Sequence, residues 1–170
     1  NAAVFGSFSL ALLVGGMVAP MVGRRIDRHG AGPVMAIGSA AAAIALAATA
    51  IAPGPYGFAV GLIAVEIAAT AVLYDAAFAA IVQACGDSAR PRIVHLTLIA
   101  GFASTLFWPF TTWLHAFLDW RAVLLVFAAV NLGLCMPLHL WVAASGRADR
   151  KEEAAAAFRA AVTAKPDYAR

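Results

Sequence analysis

The chain has 170 residues, 63% of them hydrophobic and 12% charged, about half the charged share of an ordinary soluble domain. With a mean hydropathy of +0.84, that excludes a water-soluble globule and points to an all-α membrane protein. Twelve Lys and Arg against nine Asp and Glu leave a net charge of +3, but the basic residues sit in bends between apolar stretches, which argues against a nucleic-acid partner.

Five stretches are long and apolar enough to cross a bilayer as helices: 2–22, 34–52, 58–84, 93–118 and 122–144, each close to the roughly 20 residues that a crossing needs. Breakers fall between them: Gly30, Gly32 and Pro33; Pro53, Gly54 and Pro55; Gly86 and Pro91; Asp119, Trp120 and Arg121. The connections are short, so consecutive spans run antiparallel. The first stretch has neither the basic start nor the cleavage site of a signal peptide and stays in the chain.

Arg24, Arg25 and Arg28 lie in the first connection and Arg90 and Arg92 in the third, while the tail carries Arg147, Arg150, Lys151, Arg159, Lys165 and Arg170. Five spans place all eleven on one side and only Arg121 on the other. Basic loops are retained inside the cell, so the tail is expected to be cytoplasmic and Asn1 external, in a multi-pass protein of the cytoplasmic membrane. An apolar span that begins at the first residue implies a missing preceding helix. The expected division is a five-helix bundle over 1–144 and a tail over 145–170, read as a linker with a short surface helix ending before Pro166.

Small residues recur at every fourth position of the first span: Ala3, Ser7, Ala11, Gly15, Ala19 and Gly23. They form a smooth ridge on which another backbone can approach. In the second span the run from Gly38 to Ala50 is nearly all Ala, Gly, Ser and Thr, either a packing surface or an alanine-rich composition.

The most specific string is Gly23-Arg24-Arg25-Ile26-Asp27-Arg28-His29-Gly30. It resembles the GxxxDRxG motif of the major facilitator superfamily, found between the second and third helices of its transporters, through Gly23, Asp27, Arg28 and Gly30. Ala31, Gly32 and Pro33 replace the basic residues usual after the second glycine. Asp119-Trp120-Arg121 looks like the short connection before the sixth helix, while 73–78 and 101–105 resemble segments of the fourth and fifth. The resemblance implies helices two to six of the N-terminal half, with helices eight to twelve as the other register. It implies a conformational lock at Gly23, Asp27, Arg28 and Gly30. Gly23 is expected to clear a helix crossing, Gly30 to permit a turn closed to other residues, and Asp27 to face the positive end of a neighbouring helix.

Two acids interrupt the third span, Glu66 and Asp75. An unpartnered charge at the bilayer centre costs at least about 2.5–3.5 kcal/mol, so each should face a partner, water or the bundle interior. On one continuous helix, nine residues turn through about 900° and place the two on opposite faces. Asp75, beside Tyr74, is the stronger candidate for a substrate or proton pathway, followed by Glu66, with Thr105 and Trp108 as further cavity residues. Pro109 is expected to kink its span, as a gate or as a fixed bend.

His95, His115 and His139 fall near span ends and read as interfacial side chains, and Trp113, Trp120 and Trp141 as an aromatic belt. Among the motifs there is no HxxH, HExxH or GxSxG, so neither a metal site nor an enzyme is expected, and no cofactor. Cys85 and Cys135 lack CxxC or Cys/His spacing, which excludes a disulfide scaffold. The expected function is alternating-access transport of a small solute, with or without a coupling proton, by this chain together with the missing first helix and second half. A non-transporting membrane scaffold or partner subunit is the alternative.

Overall fold

The computed structural model describes residues 2–163. Asn1, Lys165, Pro166 and Arg170, which entered the topology and tail arguments, lie outside the described residues, as does the side chain of Ala3. The described chain is almost entirely helical and contains no strand: α1 (Ala2–His29), α2 (Ala31–Ile51), α3 (Gly54–Ala69), α4 (Tyr74–Cys85), α5 (Ala89–Gly101), α6 (Ala103–His115), α7 (Trp120–Val130) and α8 (Met136–Thr163). A 3-10 turn at Gly86–Ser88 joins α4 to α5, and a π turn at Asn131–Cys135 joins α7 to α8.

Four helical runs are long and apolar enough to cross a membrane: Val4–His29, Ala31–Ile51, Gly54–His115 and Trp120–Arg147. The third has 62 residues, about three times what one crossing takes, and it turns back at Gly86, whose φ of 49° suits glycine. Its first leg ends where Gln83 bonds to the α1–α2 turn. Its second leg ends at His115, just before Arg121 meets the last carbonyls of α2.

The ends of the segments therefore alternate. The α1–α2 turn, the end of α4 and α8 around Ser145 come together at one end of the bundle, lining a common open pocket. This is the grouping that the basic residues implied. We call it the arginine-rich end.

The bundle is organised around α2, in which 11 residues are buried. Its small side chains let three neighbours approach. A Cβ on Gly32 would stand 2.5 Å from Ala143 Cα in α8, and one on Gly38 would stand 2.7 Å from Ala71 Cβ. Thr49, 1% exposed, packs against Gly61 of α3 and satisfies its own hydroxyl by donating to the Ala45 carbonyl at 2.7 Å. The small-residue run in α2 is thus a packing surface. On α1 the ridge is buried at its middle, where Ala11 is 2% exposed and Gly15 receives the side chain of Glu66.

Several sequence expectations change. The basic string 24–29 is the last part of α1 and not a loop; Gly30 alone forms the connection. Arg28 and His29 in the final turn suit the negative end of the helix, and His29 Nδ1 donates to the Arg25 carbonyl at 3.2 Å. The third apolar stretch is not one helix. It breaks between α3 and α4 at residues 70–73, where Ala71 and Val72 lie on Gly38. The rotation argument for Glu66 and Asp75 therefore does not apply. The helix also runs without interruption through the expected boundary at 144/145, so the tail begins as an extension of α8 and not as a separate surface helix.

Candidate functional site

The break in the third apolar stretch places polar groups within the membrane part. The main-chain ladder loosens after α3: Ala71 donates to Ala68 and Val72 to Ala69, both three residues back. At Leu73 the chain turns extended, with ψ −164°, and α4 starts without a side-chain cap. The first turn of any helix leaves main-chain N–H groups without intrahelical partners and carries partial positive charge. Asp75 sits in that turn, exposed, where its carboxylate complements the helix end. Tyr74 stands beside it, its ring 5.7 Å from that of Phe78.

The five expected cavity residues are not gathered into one cluster. Glu66 lies on the other side of the break, its chain against Gly15 of α1. Thr105 and Trp108 are on α6, which packs on α5 and α7 but not on α3 or α4. Trp108 is 77% exposed. Pro109 lies inside α6, and the interruption of that stretch falls earlier, at Phe102 between α5 and α6.

At the arginine-rich end the motif residues have distinct surroundings. Gly30 has φ 86° and ψ 154°, a region that essentially only glycine occupies. Its N–H donates to the Ile26 carbonyl at 2.8 Å. Gly30 thus forms the turn in a glycine conformation, and nothing described lies within 4 Å of a Cβ added at Gly23. Next to this turn, the glycine that another helix backbone approaches is Gly32. Asp27 and Arg28 are exposed and line an open pocket of about 890 Å³ with Gln83, Trp141, Ser145 and Glu152.

Gln83 closes this turn. Its Oε1 accepts from the Ala31 N–H at 2.8 Å and its Nε2 donates to the Ile26 carbonyl at 3.3 Å. Gln83 is not among the residues assigned a role from the sequence. The available signal was a lone amide near the end of an apolar run, seven residues after Ala76 and therefore on its face.

Two more links were missed. Ser39 Oγ and His139 Nδ1 are hydrogen bonded at 2.8 Å, with Ser39 fully buried. His139 thus joins α2 to α8 and is not merely an interfacial side chain. At the opposite end Asp119 caps α7, its Oδ1 accepting from the Ala122 N–H at 2.9 Å. Arg121 donates to the Ala50 and Ala52 carbonyls, both contacts to Ala52 being 3.2 Å. Its guanidinium also lies 4.5 Å from the Trp120 ring centroid, and that ring meets Phe58 of α3 edge-on at 5.7 Å.

A wholly helical membrane bundle, with a polar interruption in one span and a glycine turn following DR at one end, defines a polytopic protein of the transporter type. The family model of the Major Facilitator Superfamily matches residues 2–166, and the chain belongs to that family of transporters. Searches of curated proteins and of solved structures give no match. No group of three or more His, Cys, Asp or Glu that could hold a metal occurs among the described residues.

Proposed function

We propose that this chain supplies helices two to six of a secondary transporter that moves a small solute across the cytoplasmic membrane by alternating access. The observation that carries the reading is the interrupted third span, with Asp75 in the first turn of its second half. Transporters of this kind bind substrate and coupling ion near the midplane at discontinuous helices, whose free main-chain groups and exposed ends supply the polarity that lipid does not. Asp75 is the proposed proton or substrate carboxylate, with Tyr74 beside it. Glu66 has a secondary role against α1. Thr105 and Trp108, both exposed on α6, are the further proposed cavity residues.

The arginine-rich end is proposed to be cytoplasmic, because the basic residues gather there. The turn carrying Asp27, Arg28 and Gly30 then lies where the two halves meet when the inner side is closed. The test is reconstitution into proteoliposomes of the chain expressed with the segments flanking it in its gene. Uptake of radiolabelled amino acids, sugars and carboxylates is driven by an imposed proton gradient. We expect uptake of one class, abolished by Asp75→Asn. Uptake indifferent to both Asp75→Asn and Glu66→Gln removes the proposed pathway, and absence of uptake across the panel favours the scaffold reading.

A further inference from the structure

The helix that carries Asp75 is a short rod with unequal attachments at its two ends. At the Asp75 end, α4 is severed from α3 by the break at 70–73 and begins with no side-chain cap. Along its length it presents Ala76, 0% exposed, with Ala77, Ala79 and Ala80 to a cluster formed by Ile26, Ala31 and Met35. These contacts are between apolar side chains and carry no directional bond, while the close packing of the face transmits displacement of α4 to α1 and α2. At the far end Gln83 makes two directional bonds, one to the last turn of α1 and one to the first residue of α2. They straddle Gly30 and lie beside Asp27 and Arg28 in the same pocket. Eight residues separate Asp75 from Gln83, about 12 Å along one rigid helix.

We infer that Gln83 is a positioning residue that couples α4 to the Gly30 turn, so that the state of Asp75 at one end of the rod is transmitted to the Asp27–Arg28 turn at the other. The inference rests on the transport reading for what that coupling serves. Its physical content is that the side-chain amide, and not the alanine face, is the directional link. The segment before Asp75 packs on Gly38 through Ala71 and Val72, whereas the side-chain hydrogen bonds of α4 to α1 and α2 are those of Gln83, so a shift of the helix acts on the Gly30 turn through that amide.

A double-mutant cycle tests it. Amide hydrogen exchange is followed at Gly30 and Ala31 in the full chain in lipid nanodiscs, in the parent, Asp75→Asn, Gln83→Met and the double variant. Gln83→Met keeps side-chain length and removes both bonds. It is expected to speed Ala31 exchange at least tenfold while exchange across 36–50 of α2 is unchanged. Asp75→Asn is expected to change exchange at the turn severalfold when Gln83 is present and by less than twofold when it is Met.

An equal response to Asp75→Asn in both backgrounds overturns the inference, because the signal then travels by another route. So does a turn that ignores Asp75→Asn altogether, which would make Gln83 a static brace. Where Gln83→Met fails to insert or fold, Gln83→Asn, one methylene short of its partners, takes its place with the same expectations. The exchange readout needs no substrate. Failure of uptake with the cycle intact would therefore remove the transport reading and leave the coupling, and the reverse result would do the opposite.

Discussion

The glycines of the first two helices differ in what they face, and an alanine series turns that difference into an ordered prediction. At Gly32 an added Cβ would lie 2.5 Å from Ala143 Cα and 2.6 Å from its main-chain N. Both atoms belong to the backbone of α8 and cannot rotate away. Carbon contacts are comfortable at about 3.5–4.0 Å, so α2 and α8 must separate by about 1 Å. Overpacking of this kind costs about 1–3 kcal/mol. At Gly23 an added Cβ meets nothing, and replacing an interior helical glycine by alanine gains up to about 1 kcal/mol.

The two variants should therefore differ by about 1–4 kcal/mol. At roughly 2–4 °C per kcal/mol for a chain of this size, Gly32→Ala should melt about 2–16 °C below Gly23→Ala. Gly15→Ala falls between them, because its contact at 2.8 Å is the Glu66 Cγ, which belongs to a flexible side chain. The assay is loss of helical ellipticity and of monodispersity on heating in detergent. Should Gly32→Ala and Gly23→Ala melt together, the close α2–α8 approach is wrong. A Gly23→Ala that melts well below the parent would instead restore the expected crossing at Gly23.

Further outcomes concern the two ends of the bundle and the buried polar link. Gly30→Ala places a Cβ on a backbone that only glycine occupies comfortably and should cost about 1–3 kcal/mol, with faster exchange confined to residues around Ala31. Arg121→Met removes charged hydrogen bonds to the end of α2 and should lower stability by about 1.5–3 kcal/mol. Arg121→Lys should recover only part of this, because a point charge does not span two carbonyls as a planar fork does. Unfolding in denaturant checks both. Ser39→Ala removes one partner of His139, which keeps its contact to the Met35 main chain, and should cost about 0.5–1.5 kcal/mol; the combined Ser39→Ala, His139→Leu variant should lose less than the two singles added together, which a thermal-melt cycle measures.

Why some of this was legible in the sequence and some was not follows from the range of each interaction. Apolar length and the distribution of arginines are properties of contiguous segments. The membrane class, the out-and-back path of the third long helical run and the gathering of basic residues at one end could therefore all be read in advance. Gly30 was legible for the same reason, since its requirement is local to its own φ.

The break at 70–73 was not, because nothing in Thr70-Ala71-Val72-Leu73 is a helix breaker. It coincides with a long-range contact to Gly38, a residue that one-dimensional reading could assign only to a smooth face. Gln83 escaped for a related reason: its partners are main-chain groups 52 and 57 residues away, and a carbonyl or an N–H has no letter in the sequence. Gly23 and Gly32 illustrate the converse error. Motif matching put the close approach on the glycine that the pattern names, whereas sterics put it on the one that happens to oppose Ala143. The motif thus marks the turn through Gly30, while the contact that sets α2 against α8 lies outside it at Gly32, so substitutions chosen from the motif alone would leave that contact untested.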